Sequence, residues 1–255
     1  MRARRWRWWA AGLVVVAALA AWAAHRIAQL SVDTQATNPI IRWEWIFKRP
    51  ATRHELWAAT LQHLQLTLLA VGIGLVLASA LAAVALRFRW TFAPITAFTG
   101  FLYTIPSVAL FGILNTKMSN TAAAEVALVS YTLLVLVRNI VAGIDGVPPA
   151  VTDAADGLGL SRGRRLLTVE LPLALPVIVT GIRVATVTTV GLVGITAIIQ
   201  LGGLGQLIFD GYGTQFFTKI VVGSALSVLL ALVLDVAFHR VEVLLTPWAR
   251  RRAAR

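Results

Sequence analysis

From His63 to Leu86 the chain reads HLQLTLLAVGIGLVLASALAAVAL, with no Asp, Glu, Lys or Arg in the run. A stretch of this kind leaves few choices, because about 20 apolar residues suffice to cross a bilayer. Inside lipid every backbone N–H and C=O must find its partner within the protein, which restricts spanning structure to helices or closed barrels. The chain offers five or six such stretches. With 255 residues, 58% of them hydrophobic and 13% charged, it carries more apolar surface than a soluble domain of its length can hide. The expected fold class is an all-α polytopic membrane protein with about six transmembrane helices. Cysteine is absent, which removes disulfides and Cys-containing metal sites.

The stretches fall in a regular order. Residues 1–30 begin MRARRWRWW and run into AAGLVVVAALAAWAA, read as an N-terminal transmembrane anchor. Ala21-Trp22-Ala23 also fits the small-x-small pattern of a signal peptidase site, so a cleaved signal peptide is the second reading. Residues 31–51, with Pro39, Pro50, Trp43, Trp45 and Phe47, read as an extracytoplasmic connection against the headgroups. Thr52 and Glu55 match a capping box that opens the second span, which ends at Arg87. Gly74, Ala78 and Ala82 put a smooth stripe on that helix for close packing. A basic turn at Arg87 and Arg89 leads to a third span, Phe92 to Leu114, with Pro106 inside it. That proline predicts a bent helix, Thr104 and Ser107 being available to satisfy the backbone groups it frees. An outer loop, Asn115 to Thr121, precedes a fourth span from Ala122 to Val137. The fifth runs from Leu173 to Ile199 and the sixth from Ile220 to Val243. The multi-span domain is bounded at 52–245, and 246–255 is a basic tail, expected on the cytoplasmic side.

Basic residues outnumber acidic ones 23 to 11, but they gather at the ends of apolar spans and not on a polar surface. That placement sets membrane orientation and argues against nucleic acid as a partner. With the N-terminus inside, fifteen Lys and Arg fall on the inner side and seven on the outer. Both termini are therefore expected in the cytoplasm of a multi-pass protein of the plasma or inner membrane.

Between the fourth and fifth spans lies a long charged segment, DAADGLGLSRGRRLLTVELP, at 153–172. Its spacing resembles the cytoplasmic coupling loop of importer-type ABC permeases, E-A-A-x3-G-x9-I-x-L-P. Asp153 stands for Glu, Ala154, Ala155 and Gly159 match, Val169 stands for Ile, and Leu171 and Pro172 close the motif. The loop as a whole is bounded at 144–172. Val147-Pro148-Pro149 suits the start of a helix, where a missing N–H costs nothing. Ala154 and Ala155 leave a bare face for a partner. Gly157 and Gly159 permit left-handed conformations at a turn. Ser161 is expected to cap a second short helix, RGRRLLTVE, whose arginines face solvent or acidic partner groups. Leu171-Pro172 is expected to end that helix and redirect the chain into the membrane. An amphipathic helix on the headgroups is the competing reading of this segment.

From His54 to Phe238 the chain resembles the permease subunit of type I ABC importers of the osmoprotectant, glycine betaine or quaternary-amine family. Besides the loop, the residues that carry the resemblance are TIPSVALFG at 104–112, Val137-Arg138-Asn139, LALPVIVTGIR at 173–183 and Gly202-Gly203-Leu204-Gly205. It implies a second permease subunit, the same or homologous, a dimer of ABC ATPase subunits holding ATP and Mg, and an extracytoplasmic solute-binding protein. It implies no cofactor on this chain. Glycine betaine, choline or carnitine is the implied solute, with an amino acid as the alternative. No GxxxxGK[ST] pattern occurs, so this chain is not expected to hydrolyse ATP itself, and the resemblance implies that the step falls to a separate nucleotide-binding subunit.

Ionisable groups inside spans mark function by default. Arg183 and Asp235 are expected to pair or to line a water-filled path; in the other reading Arg183 snorkels and Asp235 bonds His239. Glu125 is set near the outer interface with no role. Pro106, Ser107, Gly203 and Gly205 complete the candidate pore or gate, with LGGLGQLI as a flexible outer element. His25, His54, His63 and His239 show no ligand spacing, so no metal site is expected. A membrane enzyme needs clustered His, Asp or Ser near one surface, which the sequence lacks. A channel or scaffold without ATPase coupling leaves the twenty-residue loop unexplained.

Overall fold

A computed structural model describes residues 41–246, and every element in that range is helical. The expected anchor at 1–30, most of the connection that follows and residues 247–255 lie outside the described range. In chain order the helices are α1 (Trp43–Phe47), α2 (Pro50–Arg87), α3 (Phe92–Thr104), α4 (Ser107–Asn115), α5 (Asn120–Asp145), α6 (Pro149–Gly157), α7 (Arg162–Arg165), α8 (Leu171–Ile195), α9 (Gly203–Gly213) and α10 (Phe217–Leu245). A π-helical turn, Leu166–Glu170, joins α7 to α8, and a 3-10 turn, Thr196–Ile199, follows α8. α2, α5, the continuous run Arg162–Ile199 and α10 are each long and apolar enough to cross a membrane; α3 and α4 together form a fifth, broken span.

α5 is the central helix. Two thirds of its apolar window is buried, against one third for α2 and about a tenth for α10. Ala123, Ala124, Ala127, Leu128, Leu136 and Val137 are fully or almost fully buried on it. α2 meets α5 along the predicted stripe: Ala78 and Ala82 have no exposure, and a Cβ at Gly74 would overlap the Thr132 hydroxyl. Small residues let two backbones approach where lipid supplies no hydrophobic drive.

Four expectations are corrected here. The Thr52–Glu55 capping box does not form. Arg49 is the N-cap of α2, with no side-chain bond, and Pro50 occupies the first turn, where no N–H is required. Thr52 is buried and Glu55 pairs instead with Lys219 Nζ at 3.0 Å. The third span is not one bent helix but two, meeting at 88°. Tyr131 Oη on α5 donates to the Ile105 carbonyl at 2.6 Å, while Thr104 Oγ1 donates within its own helix to Phe101. The fourth span continues past Val137 to Asp145, because Ile140, Val141 and Ile144 stay buried and Asn139 Nδ2 caps the Val135 carbonyl at 2.8 Å. Finally, LGGLGQLI, expected as a flexible outer element, enters a helix at Gly203: α9 packs with Gly203, Leu204, Gly205 and Leu207 buried.

The bundle has two distinct ends. At one, the Arg42 N–H donates to Thr218 Oγ1 at 2.9 Å and Trp45 meets Phe216 edge-on at 5.3 Å, beside the starts of α2 and α10. At the other, Arg89 clamps Asp145 with two bonds, Nη1 to Oδ2 at 2.8 Å and Nη2 to Oδ1 at 2.5 Å. That pair ties the α2–α3 turn to the last residue of α5, immediately before α6.

Candidate functional site

α6 follows from its first residues. Pro148 is the N-cap and Pro149 the first helical residue, where both lose nothing by lacking an N–H. Ala155 turns inward with 4% exposure, whereas Asp153 and Ala154 face out, so only one of the two alanines offers a bare outer face. The helix stops in a Schellman arrangement: Leu160 N–H bonds the Ala155 carbonyl at 3.2 Å and Gly159 N–H bonds that of Asp156 at 2.9 Å. Gly159 sits at φ +76°, the left-handed value this ending demands. Gly157, expected to share that task, is helical and has a negative φ.

The chain reverses through Leu158–Ser161 and enters α7. Ser161 is at the N-cap position but makes no capping bond. Leu171-Pro172 does not end the second arm, contrary to expectation. Leu171 N–H reaches back five residues to the Leu166 carbonyl, and the helix runs on as the apolar span that ends at Ile199. A proline ring normally meets the carbonyl four residues earlier. The wider π turn lies immediately before Pro172, and the helix continues through the proline. Leu166 and Leu171 root this arm in the hydrophobic core, while Val169 and Pro172 are half-buried.

Arg165 joins the two arms. Its Nε donates to Glu170 Oε1 at 2.6 Å and its Nη1 to Asp156 Oδ2 at 2.5 Å. Glu170 is buried, at 8% exposure. Sequence reasoning turned all the loop arginines outward and missed this bridge. The Arg–Glu spacing of five belongs to a π turn, and rules based on three- and four-residue spacing pass over it. The two arms, α6 and the run from α7 through the π turn, make a helical knob over 149–170 whose exposed apolar side chains are Leu158 at the reversal, 83% exposed, and Leu167 on the second arm, 66%.

Away from the knob, Arg183 on α8 holds Asp235 on α10 through Nε–Oδ1 at 2.8 Å and Nη2–Oδ2 at 3.0 Å. Glu242 lies 3.4 Å from Arg183 Nη1 and 3.5 Å from His239 Nδ1, so the histidine partners Glu242 and not Asp235. Two parallel bonds of this kind fix a guanidinium and a carboxylate in one geometry.

The remaining candidates lie toward the opposite end. Pro106 and Ser107 mark the break between α3 and α4, and α4 packs on the Thr196–Ile199 turn. Gly203 opens α9 at φ +73°, and a Cβ at Gly205 would strike the Gly194 carbonyl. Gln62, unremarked in the sequence, holds this turn from α2: Nε2 donates to the Leu201 carbonyl at 2.5 Å and Oε1 accepts from Gly203 N–H at 3.0 Å. The structure thus gathers Asp153 to Pro172 into one knob, sets the Arg183–Asp235 pair between α8 and α10, and leaves Pro106 and Ser107 at the α3–α4 break and Gly203 and Gly205 at the start of α9.

Residues 70–251 match the family described as binding-protein-dependent transport system inner membrane component. The osmoprotectant import permease protein OsmW of Salmonella typhimurium is 38% identical over 198 residues, which cover 75% of this chain and 92% of that protein. The choline transport system permease protein OpuBB of Bacillus subtilis is 32% identical over 78% of this chain and 92% of its own length. Among solved structures, the inward-facing MetNI methionine ABC transporter superposes with a TM-score of 0.67 at 19% identity, covering 78% of this chain and 99% of that one.

Proposed function

This chain belongs to the family of binding-protein-dependent transport system inner membrane components, and from that premise we propose that it passes osmoprotectant solutes through the membrane under ATP drive. It is a membrane-embedded permease subunit of an ABC importer. The solute class rests on relatives named for osmoprotectant and choline import, and glycine betaine, choline and carnitine are the candidates.

The observation that carries the mechanism is the knob at 149–170, two helical arms closed by the Gly159 turn. In this reading it lies in the cytoplasm with both termini and docks on one subunit of an ATPase dimer, which holds ATP and Mg. Its exposed tip, led by Leu158, supplies apolar contact, since exposed apolar surface rimmed by charge marks interaction sites. Because α8 continues out of the knob without a stop, a shift of the knob moves a transmembrane helix directly. Closure and release of the ATPase then rock the spans between two packings, the rigid-body mode of alternating access. A second permease subunit completes the pore, and an extracytoplasmic binding protein delivers the solute on the face of Arg42 and Trp45. Lipid surrounds the outer faces of α2 and α10.

Reconstitution tests this. The chain, its ATPase and its receptor in proteoliposomes are expected to accumulate glycine betaine, choline or carnitine only with ATP. Uptake of methionine in preference to all three would refute the solute class, and solute flux without ATP would refute the ATP-driven reading.

A further inference from the structure

The knob has a part that the coupling motif does not contain. Arg165 stands between two carboxylates of opposite arms, 2.5 Å from Asp156 on α6 and 2.6 Å from Glu170 at the root of α8. We propose that Arg165 is a positioning residue, a strut that makes the two arms one rigid body so that motion imposed at the tip reaches α8; this rests on the ABC permease reading above.

Little else joins the arms. α6 is anchored at its base by the Val147-Pro148 lead-in and at its tip by the Gly159 turn. Both are backbone joints, and the turn depends on two hydrogen bonds at 2.9 and 3.2 Å. Side-chain contact is thin, with Ala155 the one buried residue of α6. Without a cation between them, Asp156 and Glu170 are like charges facing across the gap, and they favour opening. Arg165 reverses that sign. Its planar fork aims one nitrogen at each carboxylate, a geometry the single ammonium of lysine cannot reproduce. Glu170 is buried, so its charge depends on this partner more than an exposed carboxylate would. A loop that must transmit force loses whatever displacement its own joints absorb.

The test uses the full chain in complex with its ATPase and receptor in proteoliposomes. Arg165→Gln and Asp156→Asn are compared with Arg164→Gln, which removes a neighbouring positive charge without touching the bridge. Two readouts are taken: solute moved per ATP hydrolysed, and hydrogen exchange of the Leu158, Gly159 and Leu160 amides. The strut predicts that both bridge variants keep the ATPase bound, lose protection at these amides, and drop in transport per ATP by about two- to thirty-fold, the range for substitutions along a coupling route. Arg165→Lys is expected to fall between wild type and Arg165→Gln, and Arg164→Gln to match wild type. Unchanged coupling and protection in both bridge variants would overturn the strut while leaving the permease reading standing. Loss of the ATPase from folded bridge variants would make Arg165 a docking contact and overturn it too. A wild-type chain that recruits no ATPase would overturn the permease reading, and the strut with it.

Discussion

Arg183 and Asp235 form a two-bond ion pair, 2.8 and 3.0 Å long, between the fifth and sixth expected spans, 52 residues apart in the chain. Neither residue has another side chain of comparable fit, since Glu242 stands off at 3.4 Å. The pair fastens α10, the least buried of the long helices, to α8.

Removing one partner strands the other charge. Asp235→Asn and Arg183→Gln are each expected to cost about 1–3 kcal/mol, below the 3–5 of a fully enclosed pair because both side chains keep partial exposure. The double replacement Arg183→Met with Asp235→Met is expected to be less destabilised than either single variant. Thermal unfolding of the detergent-solubilised chain checks this. Additive losses would show that the pair contributes nothing as a pair.

The two glycines of the knob are expected to differ in sign. Gly157 is helical with open space around its Cβ position, so Gly157→Ala stabilises by up to about 1 kcal/mol. Gly159 also has open space, but its φ of +76° makes Gly159→Ala cost about 1–2 kcal/mol. Gly159→Asn is expected to be milder, because asparagine enters the left-handed region more readily. Unfolding of the three variants, with ATPase co-purification, measures the contrast.

Gly205 fails for a different reason. Its φ is negative, but an added Cβ meets the Gly194 carbonyl, and backbone cannot swing aside as a side chain can. Gly205→Ala is expected to cost about 1–3 kcal/mol, the usual range for overpacking. A thermal midpoint equal to wild type would show that α9 is free to move away from α8.

Tyr131→Phe removes the hydroxyl that serves the Ile105 carbonyl at the α3–α4 break. The expected loss is about 1 kcal/mol, a typical net hydrogen bond with its acceptor left behind. A larger loss, with altered transport, would mean that the 88° bend itself is held by this bond.

Much of this architecture was readable in the chain. The apolar runs located α2, the α3–α4 pair, α8 and α10, and the alanine–glycine stripe named the face of α2 that meets α5. The errors share a cause. Val137 looked like the end of a span because Arg138 and Asn139 follow, yet burial of Ile140 and Ile144 carries α5 two turns further. Thr52 looked like a cap because capping is a local pattern, but Pro50 had already started the helix. Pro172 looked like a stop, yet the helix continues through it. Pairings across long separations, such as Gln62 with Gly203 or Tyr131 with Ile105, leave no local trace at all.

An ATP-driven permease of this kind requires the knob to face the cytoplasm and to be gripped by an ATPase. The chain has no cysteine, so Leu158→Cys places a single thiol at the most exposed point of the tip. In membrane vesicles of defined orientation that thiol is expected to react with an impermeant maleimide from the cytoplasmic side only, and to cross-link to the ATPase subunit in the assembled complex. Labelling from the opposite side, or no cross-link in a complex that still transports, would contradict it.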